Sequence, residues 1–245
     1  MLYSEKERNY CMKKILGYGC LTIIIVLVGS GFFAWRLISG AVKQKDLGLQ
    51  ATSEEAQAAQ EKAGVSVTAL PATTTLTDSF RYEGSHSLSY SMDSKELTAL
   101  ALAHSKYKYF PFMNTQIRVN SDSTVEISSV VDTSKAFSYA TAIGFAAADL
   151  EKAMNDYHIP RSTIPVYVKG SGSVIDGKVT LNLNSGSIAG IPIPMGLVND
   201  KKPQIIGVLE DIINRTTGLQ ATSLTFSDGK MSFNGMVPEK KFIVE

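Results

Sequence analysis

Residues 166–184 read VYVKGSGSVIDGKVTLNLN, and this segment contains a strong hairpin signal. Its pair Asp176-Gly177 tolerates positive φ at both central positions of a type I′ turn, a favoured two-residue hairpin connection. Segments rich in Val and Ile flank the pair on both sides, as is typical of strands. The stretch therefore predicts an antiparallel hairpin of two long strands, Val166–Ile175 and Lys178–Asn184.

A second Asp-Gly pair predicts another hairpin further along the chain. Asp228-Gly229 separates residues 221–227 from residues 230–236, and both segments are rich in β-branched and aromatic side chains. The same turn chemistry applies, because Asp and Gly both accept positive φ.

A third hairpin is expected before the first two in the sequence. Residues 114–120 and 124–131 alternate polar and apolar side chains, which favours half-buried strands. We expect Gln116–Val119 to face Val125–Ser128 across the intervening polar turn.

Three helices are expected between the hairpins. Asp93 and Glu96 have capping-box spacing at the start of the first helix. A proline suits the first position of the last one, because its missing N–H has no partner there in any helix. The helices are expected to cover about Ser94–Lys106, Ser138–Tyr157 and Pro203–Thr217, after a first strand at residues 80–92.

The order of elements indicates the fold class. Strand, helix, hairpin, helix, hairpin, helix and hairpin follow one another, which favours α+β over a parallel α/β sheet. We predict an antiparallel sheet of hairpins with about three helices packed on it, over residues 80–245, preceded by one N-terminal transmembrane helix.

The predicted transmembrane helix is an uncharged run of 21 residues, Ile15–Trp35. About 20 apolar residues span a hydrocarbon core of roughly 30 Å. Lys13 and Lys14 precede the run, and positive residues favour the cytoplasmic side. We predict a membrane anchor at residues 15–37, a cytoplasmic tail at 1–14, and an extracytoplasmic location for everything that follows.

Two alternatives at the N-terminus stay open. The apolar run is also compatible with a cleaved signal peptide, with Gly29 and Gly31 as the small residues before the cleavage site. Residues 1–11 are either a short cytoplasmic tail or an extension upstream of a true start at Met12. Detection of Tyr3 in the mature protein would decide for the longer chain.

Residues 38–79 are predicted to form a stem between the anchor and the folded domain. Thr52 and Glu55 have capping-box spacing, and the helix formers of residues 56–63 follow them. This helix has few large apolar residues, so we expect it to be exposed or lightly docked. Residues 65–78 are interpreted as an extended linker.

Charge and cysteine content exclude several functions. The formal net charge is +1, which argues against nucleic acid as a partner because phosphate neutralisation needs a clustered positive excess. Beyond residue 38 the chain carries 19 basic and 21 acidic residues, a net charge of −2. Cys11 and Cys20 both precede the end of the predicted anchor, so a Cys nucleophile or thiolate zinc site beyond it is excluded.

No catalytic constellation is evident in the rest of the chain. His86, His104 and His158 are far apart and lack metal-ligand spacing. Ser227–Lys230 has the Ser-x-x-Lys pattern, but its Asp-Gly pair favours a hairpin turn. The glycines of residues 170–190 lack the ending of a phosphate-binding loop and are interpreted as edge strands with bulges. We predict no catalytic residues, no metal and no cofactor.

Two apolar groups are candidates for ligand binding. An aromatic cluster and a rigid Ile-Pro-Ile-Pro segment could line a groove for a lipid or a peptidoglycan-linked chain. The alternative is that both groups pack into the core under a sheet. The candidate residues are Tyr107, Tyr109, Phe110, Phe112, Ile191 and Ile193.

Six segments of the chain carry a resemblance to known proteins: Asp46–Leu49, Ser94–Ala99, Gln116–Asn120, Thr124–Glu126, Ile164–Gly170 and Ile191-Pro192. In these segments the chain resembles a family of uncharacterised single-anchor envelope proteins of Gram-positive bacteria. More remotely, it is similar in style to YpmS-type and tubular lipid-binding envelope proteins, which pair long helices with curved antiparallel sheets. The resemblance implies an envelope location and, by analogy of fold alone, lipid handling.

These observations lead to one leading hypothesis and two alternatives. The leading hypothesis is a non-enzymatic, membrane-tethered module that binds a lipid, a cell-wall polymer or a partner envelope protein. One alternative is an envelope hydrolase whose Ser, His and Asp come from distant parts of the chain. The other is a structural spacer or assembly subunit.

The anchor predicts that the full-length protein sediments with membranes and is released by detergent but not by high salt. A helix of this length and apolarity inserts stably into a bilayer, whereas a surface-bound protein is released by salt. Cell fractionation followed by immunoblotting checks the expectation. Unprocessed protein in the soluble cytoplasmic fraction would contradict it.

Overall fold

A computed structural model describes residues 43–156 and 161–245 of the chain. Within these ranges the fold is α+β, with mostly antiparallel sheets and five helices. None of those five helices has the length and apolarity that a bilayer crossing demands. The predicted anchor at residues 15–37 lies outside the described residues.

The elements alternate between helices and strands along the chain. The helices are α1 Ser53–Lys62, α2 Ser94–His104, α3 Thr133–Ala142, α4 Ala147–Asp156 and α5 Met195–Arg215, with a short 3₁₀ helix at Leu76–Asp78. The strands are β1 Ser66–Leu70, β2 Phe80–Glu83, β3 His86–Asp93, β4 Phe112–Val119, β5 Val125–Asp132, β6 Thr163–Ile175, β7 Lys178–Ile188, β8 Ile191–Pro192, β9 Gln220–Ser227, β10 Lys230–Val237 and β11 Lys240–Val244.

All three predicted hairpins are confirmed. β6 and β7 pair in antiparallel fashion, with φ of 48° at Asp176 and 73° at Gly177. β9 and β10 join in the same way, with φ of 49° at Asp228 and 76° at Gly229. In the β4–β5 hairpin, Gln116 to Val119 pair one to one with Ser128 to Val125. Asp-Gly turns are therefore sufficient to locate four of these strands, and alternation of polar and apolar residues locates the other two.

The larger sheet has eight strands, and β6 is shared by its two arms. Residues 163–170 of β6 pair with β5, whereas Val174 and Ile175 pair with β9 on the same edge; β7 runs along the other edge. The switch lies at a bulge beside Gly170, where an added Cβ would come within 2.5 Å of the Asn182 carbonyl oxygen. The predicted bulge is confirmed. The prediction of edge strands over residues 170–190 is wrong for β6 but right for most of β7, whose outer side pairs only at Ser187 and Ile188.

A second, three-stranded sheet contains the parallel pair that the sequence analysis missed. Its order is β1-β11-β2, and β1 runs parallel to β11. Part of the predicted linker at residues 65–78 is therefore a paired strand. The predicted single strand at residues 80–92 is also wrong, because the chain turns at Gly84, whose φ is 72°, and places β2 and β3 in different sheets.

Two of the predicted helices differ from the structure. The predicted helix Ser138–Tyr157 is two helices, α3 and α4, separated at Gly144, whose φ of 99° is incompatible with a helix. The last helix begins at Met195 and contains Pro203 in its interior. Burial explains the earlier start, because Val198 lies on the same face as Ile205 and both are buried.

The helix predicted in the stem is confirmed but is firmly docked. Thr52 and Glu55 form the expected capping box at the start of α1. Ala56 and Ala59 are buried where α1 packs on α2, since small residues allow two helices to approach closely. Leu47, before the helix, is also buried. The stem is therefore part of the folded domain from its first described residues onward.

Hydroxyl groups of α2 cover part of the outer edge of β4. The Ile117 N–H donates to the Thr98 hydroxyl oxygen at 3.0 Å, and the Val119 N–H donates to the Ser94 hydroxyl oxygen at 2.9 Å. The Thr98 hydroxyl donates in turn to the Ser94 carbonyl at 2.9 Å. Because β4 ends the sheet, these contacts satisfy backbone donors that would otherwise form an open edge.

Replacement of Thr98 by Val should destabilise the domain by about 1–3 kcal/mol, because it leaves the Ile117 N–H without an acceptor in a buried position. The matched control is Thr141→Val, whose hydroxyl bonds only to a carbonyl of its own helix, and we expect a change within about 0.5 kcal/mol. Denaturant unfolding followed by circular dichroism measures both values. Equal effects of the two substitutions would show that the edge contact is unimportant.

Candidate functional site

Tyr107, the first residue of the predicted aromatic cluster, is a core residue. Its side chain is 1% exposed, and its hydroxyl oxygen lies 2.7 Å from the Ser79 hydroxyl oxygen. Its ring packs 5.2 Å from that of Phe80 and 6.1 Å from that of Tyr139. Burial raises the pKa of Tyr107. The residue stabilises this part of the core and is not accessible to a ligand.

The other predicted binding residues are distributed over separate places. Tyr109 and Phe110 are half-buried beside Tyr107, whereas Phe112 is 41% exposed. Ile193 is buried in a different cluster, with Phe145 among its members, and Ile191 is half-buried in β8. The aromatic cluster and the Ile-Pro-Ile-Pro segment therefore do not form one site.

Both groups nevertheless lie behind the walls of one cleft. The cleft has a volume of about 530 Å³ and lies between β2, the end of α3 and the end of α5. Phe80 and Tyr139 line it and share the aromatic cluster of Tyr107, and Phe145 lines it and shares the cluster of Ile193. We refer to this space as the β2–α3–α5 cleft.

One wall of the cleft is aromatic. The ring of Tyr82 contacts that of Phe80 edge-on, with 5.0 Å between the centroids, and the ring of Phe80 lies 6.0 Å from that of Tyr139. Burial raises the pKa of Tyr82 to about 12, so its phenol stays neutral at physiological pH. Side chains of this kind offer a large apolar surface with a few polar groups at its margin.

The opposite wall carries an ion pair. Arg215 Nε lies 2.6 Å from Asp211 Oδ2, one helical turn away on α5. The Asp211 side chain is largely buried, whereas that of Arg215 is 46% exposed. Beyond this ion pair, Arg215 has no hydrogen-bond partner among residues 43–156 and 161–245, and a guanidinium has five N–H donors. The remaining donors are therefore available to a bound molecule.

The residues of this wall are not recognisable as a site from the sequence. Asp211 and Arg215 have the i,i+4 spacing of ordinary solvent-exposed helix pairs. The pair differs from such pairs because it lies across the cleft from β2. The sequence does not show which element lies opposite a helix face. The one sequence feature that could have indicated this wall is the apolar face of α5. It includes Ile212, which lies next to the ion pair and lines the cleft.

Residues 44–48, which we call the strap, lie across the polar face of β4 and β5. The Leu47 N–H donates to Gln116 Oε1 at 2.5 Å, and the Arg118 guanidinium donates to the Leu47 carbonyl. The Ser128 hydroxyl donates to the Lys45 carbonyl at 2.6 Å. Bonds from two strands thus hold the strap along its length.

A charged network reinforces the strap. Lys45 Nζ lies 3.3 Å from Glu126 Oε2 and 3.5 Å from the centre of the Tyr167 ring. The Tyr167 hydroxyl donates to the same carboxylate at 2.6 Å, and the Asn120 amide donates to Oε1 at 3.2 Å. The Tyr167 hydrogen bond is the largest cause that lowers the pKa of Glu126, followed by the Asn120 and Lys45 contacts. Glu126 is buried and ionised, with each oxygen satisfied.

A buried lysine is the most perturbed base of the second sheet. Lys241 is 2% exposed, and its Nζ lies 5.5 Å from the centre of the Phe80 ring. Burial lowers its pKa to about 8. Burial, and then the charge of Lys241, lowers the pKa of nearby His104 to about 4. No carboxylate of residues 43–156 or 161–245 forms an ion pair with Lys241, so burial of its charge costs stability.

The described residues contain no cluster of three or more His, Cys, Asp or Glu side chains that could hold a metal ion. His104 Nδ1 lies 2.9 Å from the Leu100 carbonyl oxygen. In the same part of the chain, no serine hydroxyl is hydrogen-bonded to His104 or His86. These two histidines therefore do not form the Ser–His site of the hydrolase alternative. The third histidine, His158, lies outside the described residues.

Comparison with known proteins gives no relative. The chain matches no protein-family model, and neither a curated protein nor a solved structure is significantly similar to it. The resemblance to Gram-positive envelope proteins stays a prediction. The cleft and the strap are therefore the structural features from which a function can be inferred.

Lys241→Met should stabilise the domain at pH 7, and the gain should disappear near pH 10.5. The unfolded chain binds a proton on this lysine up to its ordinary pKa of 10.5, whereas the folded chain releases it near pH 8. Stability of the natural protein therefore rises across this range. The shift corresponds to a gain of about 3 kcal/mol below pH 8.

The exposed neighbour Lys240 provides the control, and Lys240→Met should change stability little at any pH. Denaturant unfolding at pH 7, 9 and 10.5 checks both variants. A gain from Lys241→Met that is independent of pH would mean that lost packing strain, and not the buried charge, explains the effect.

Proposed function

We propose that this chain is a membrane-tethered, extracytoplasmic binding module of the bacterial envelope, and that its ligand is an amphiphile. The ligand class is a lipid or a lipid-linked cell-wall component, bound without catalysis. The observation that carries the proposal is the β2–α3–α5 cleft, which combines an aromatic wall with a partly exposed arginine. Its volume of about 530 Å³ lies within the usual range of small-molecule sites.

The aromatic wall suits the apolar part of such a ligand. Phe80, Tyr82, Tyr139 and Phe145 line the cleft and leave it open to solvent on one side. Covering their exposed surface releases water, and this supplies binding energy without demanding a defined ligand shape. Acyl chains and polyprenyl chains both meet this requirement.

The α5 wall suits a polar head group. Arg215 keeps donors free for an acceptor oxygen, and the exposed Thr217 lies beside it in the cleft. Asp211 neutralises most of the arginine charge, because it holds the Nε of the guanidinium at 2.6 Å. The wall therefore favours a head group with a single phosphate or several hydroxyls over a multivalent anion.

The strap supports the tethered location. Gln44 donates from Nε2 to the Asn114 carbonyl at 2.7 Å, so the chain is bound to the domain from there on. Only residues 38–43 separate the strap from the predicted anchor, instead of the stem of residues 38–79 expected from the sequence. A domain on so short a connection stays at the membrane surface, where amphiphilic ligands are found.

Arg215→Gln should weaken binding of a short-chain anionic phospholipid about tenfold, since a hydrogen bond to a charged group contributes roughly 1.5–3 kcal/mol. The probe is dihexanoyl phosphatidylglycerol below its micelle concentration, titrated into the full-length protein in nanodiscs and followed by calorimetry. Dihexanoyl phosphatidylcholine serves as the comparison probe.

The control is Arg161→Gln, which removes an arginine that is exposed on another part of the domain. It should leave the affinity unchanged. Equal affinities of the Arg215→Gln variant and the natural protein would exclude this cleft as the site. Absence of binding by the natural protein would exclude phospholipids and leave the lipid-linked cell-wall component as the ligand to test.

A further inference from the structure

A second concave surface lies directly beside the strap. It is a groove of about 720 Å³ between α2, the first half of β4 and residues 44–51. Two large apolar side chains are exposed here: Leu102 on α2 is 39% exposed and Phe112 on β4 is 41% exposed. Met113 and Leu49 also line this groove. We refer to it as the strap groove.

The chain leaves the domain at the rim of this groove. Gln44 lines the groove and is bonded to Asn114, which lines it too. The predicted anchor ends at residue 37, so the seven Cα steps to Gln44 span at most about 25 Å, whatever their conformation. The strap groove is therefore held within about 25 Å of the end of the anchor.

An added peptide strand does not fit this groove. β4 forms one of its walls, but a bulge interrupts the strand between Met113 and Gln116, and Asn114 has a φ of 51°. Further along, Ser94 and Thr98 already accept the backbone donors of that edge. Strand addition needs a regular row of free backbone groups, and this edge lacks one.

We propose that the strap groove is a docking surface for the lipid bilayer, in which Leu102 and Phe112 enter the boundary between head groups and acyl chains. The inference rests on the membrane anchor of the proposed function and goes beyond it, because it assigns a second lipid contact outside the β2–α3–α5 cleft. The short connection after the anchor is the reason for choosing the bilayer over a soluble partner.

The connection also makes a small contact surface sufficient. Two partly exposed apolar side chains bind a bilayer weakly when the protein is free in solution. A short tether keeps the effective concentration of the surface high, so a weak contact is populated most of the time. The hydrogen bonds of the strap fix which face of the domain this contact uses.

Fluorescence quenching by lipids tests the docking. The only tryptophan, Trp35, lies in the predicted anchor, so Trp35→Phe gives a silent background into which Phe112→Trp is introduced. In proteoliposomes with brominated acyl chains, the introduced indole should show a blue-shifted emission and a clear loss of intensity. Ile175→Trp is the control, because Ile175 is 47% exposed but lies far from the strap. Tyr167, which contacts Lys45 of the strap, is about 26 Å away along β6. Its emission should be unaffected.

The outcomes separate this inference from the proposed function. If the protein is absent from the membrane fraction, the anchor and the proposed function both fail. If the protein is in the membrane but the indole at position 112 is quenched by aqueous acrylamide and not by bromolipid, the docking surface alone is disproved. Protection from both quenchers would also overturn it, since the indole would then be covered by protein, either its own domain or a second copy of the chain, and not by lipid. A flexible insertion of 30 residues after Lys43 should reduce the lipid quenching without loss of folding.

Discussion

One strand, β6, hydrogen-bonds to both arms of the larger sheet, and the rest of the fold depends on the close backbone approach within it. Added Cβ atoms at Gly170 and Gly172 would lie 2.5 and 2.6 Å from carbonyl oxygens of β7. No other residue fits there without moving the neighbouring strand. Between these glycines and the end of β6, the partner on one edge changes from β5 to β9. The two glycines thus let β7 approach β6 closely along the stretch where the partner on the other edge of β6 changes.

The two candidate surfaces are built on different sheets. The β4–β5 arm holds the strap and one wall of the strap groove, whereas β2 and α5 form the β2–α3–α5 cleft. Phe80 and Tyr139 line that cleft and pack against Phe110 or Tyr107, and Phe110 in turn contacts Phe112 in the strap groove. A continuous row of rings therefore connects the surfaces, and its buried members give both of them a rigid support.

Sequence patterns predicted those elements whose causes are local. Asp-Gly turns and capping boxes act over four residues, and two of the hairpins and the starts of α1 and α2 were located from them. The parallel pairing of β1 with β11 depends on contacts across nearly the whole domain, and no short pattern encodes it. The break at Gly144 was missed because the flanking alanines favour a helix on both sides. Pro203 suggested the start of the last helix. That helix begins eight residues earlier, at Met195, because Val198 is buried on the same face.

The candidate site was predictable only in its supporting residues. The aromatic and Ile-Pro residues were predicted as binding residues because they are apolar. Apolar residues tend to be buried, so most of them lie in the core behind the cleft and do not line it. Arg215 and the strap residues are polar side chains at unremarkable spacings. Their roles arise from the elements that the fold brings opposite them, which a single sequence does not reveal.

The parallel pair of β1 and β11 has a consequence for how the protein is made. The Ser66 amide donates to the Glu239 carbonyl at 3.0 Å, although the two residues are 173 positions apart. A nascent chain leaving the ribosome cannot close this sheet until residues 240–244 have emerged. Among the described strands β1 pairs only with β11, so it has no partner strand until nearly the whole chain has been synthesised.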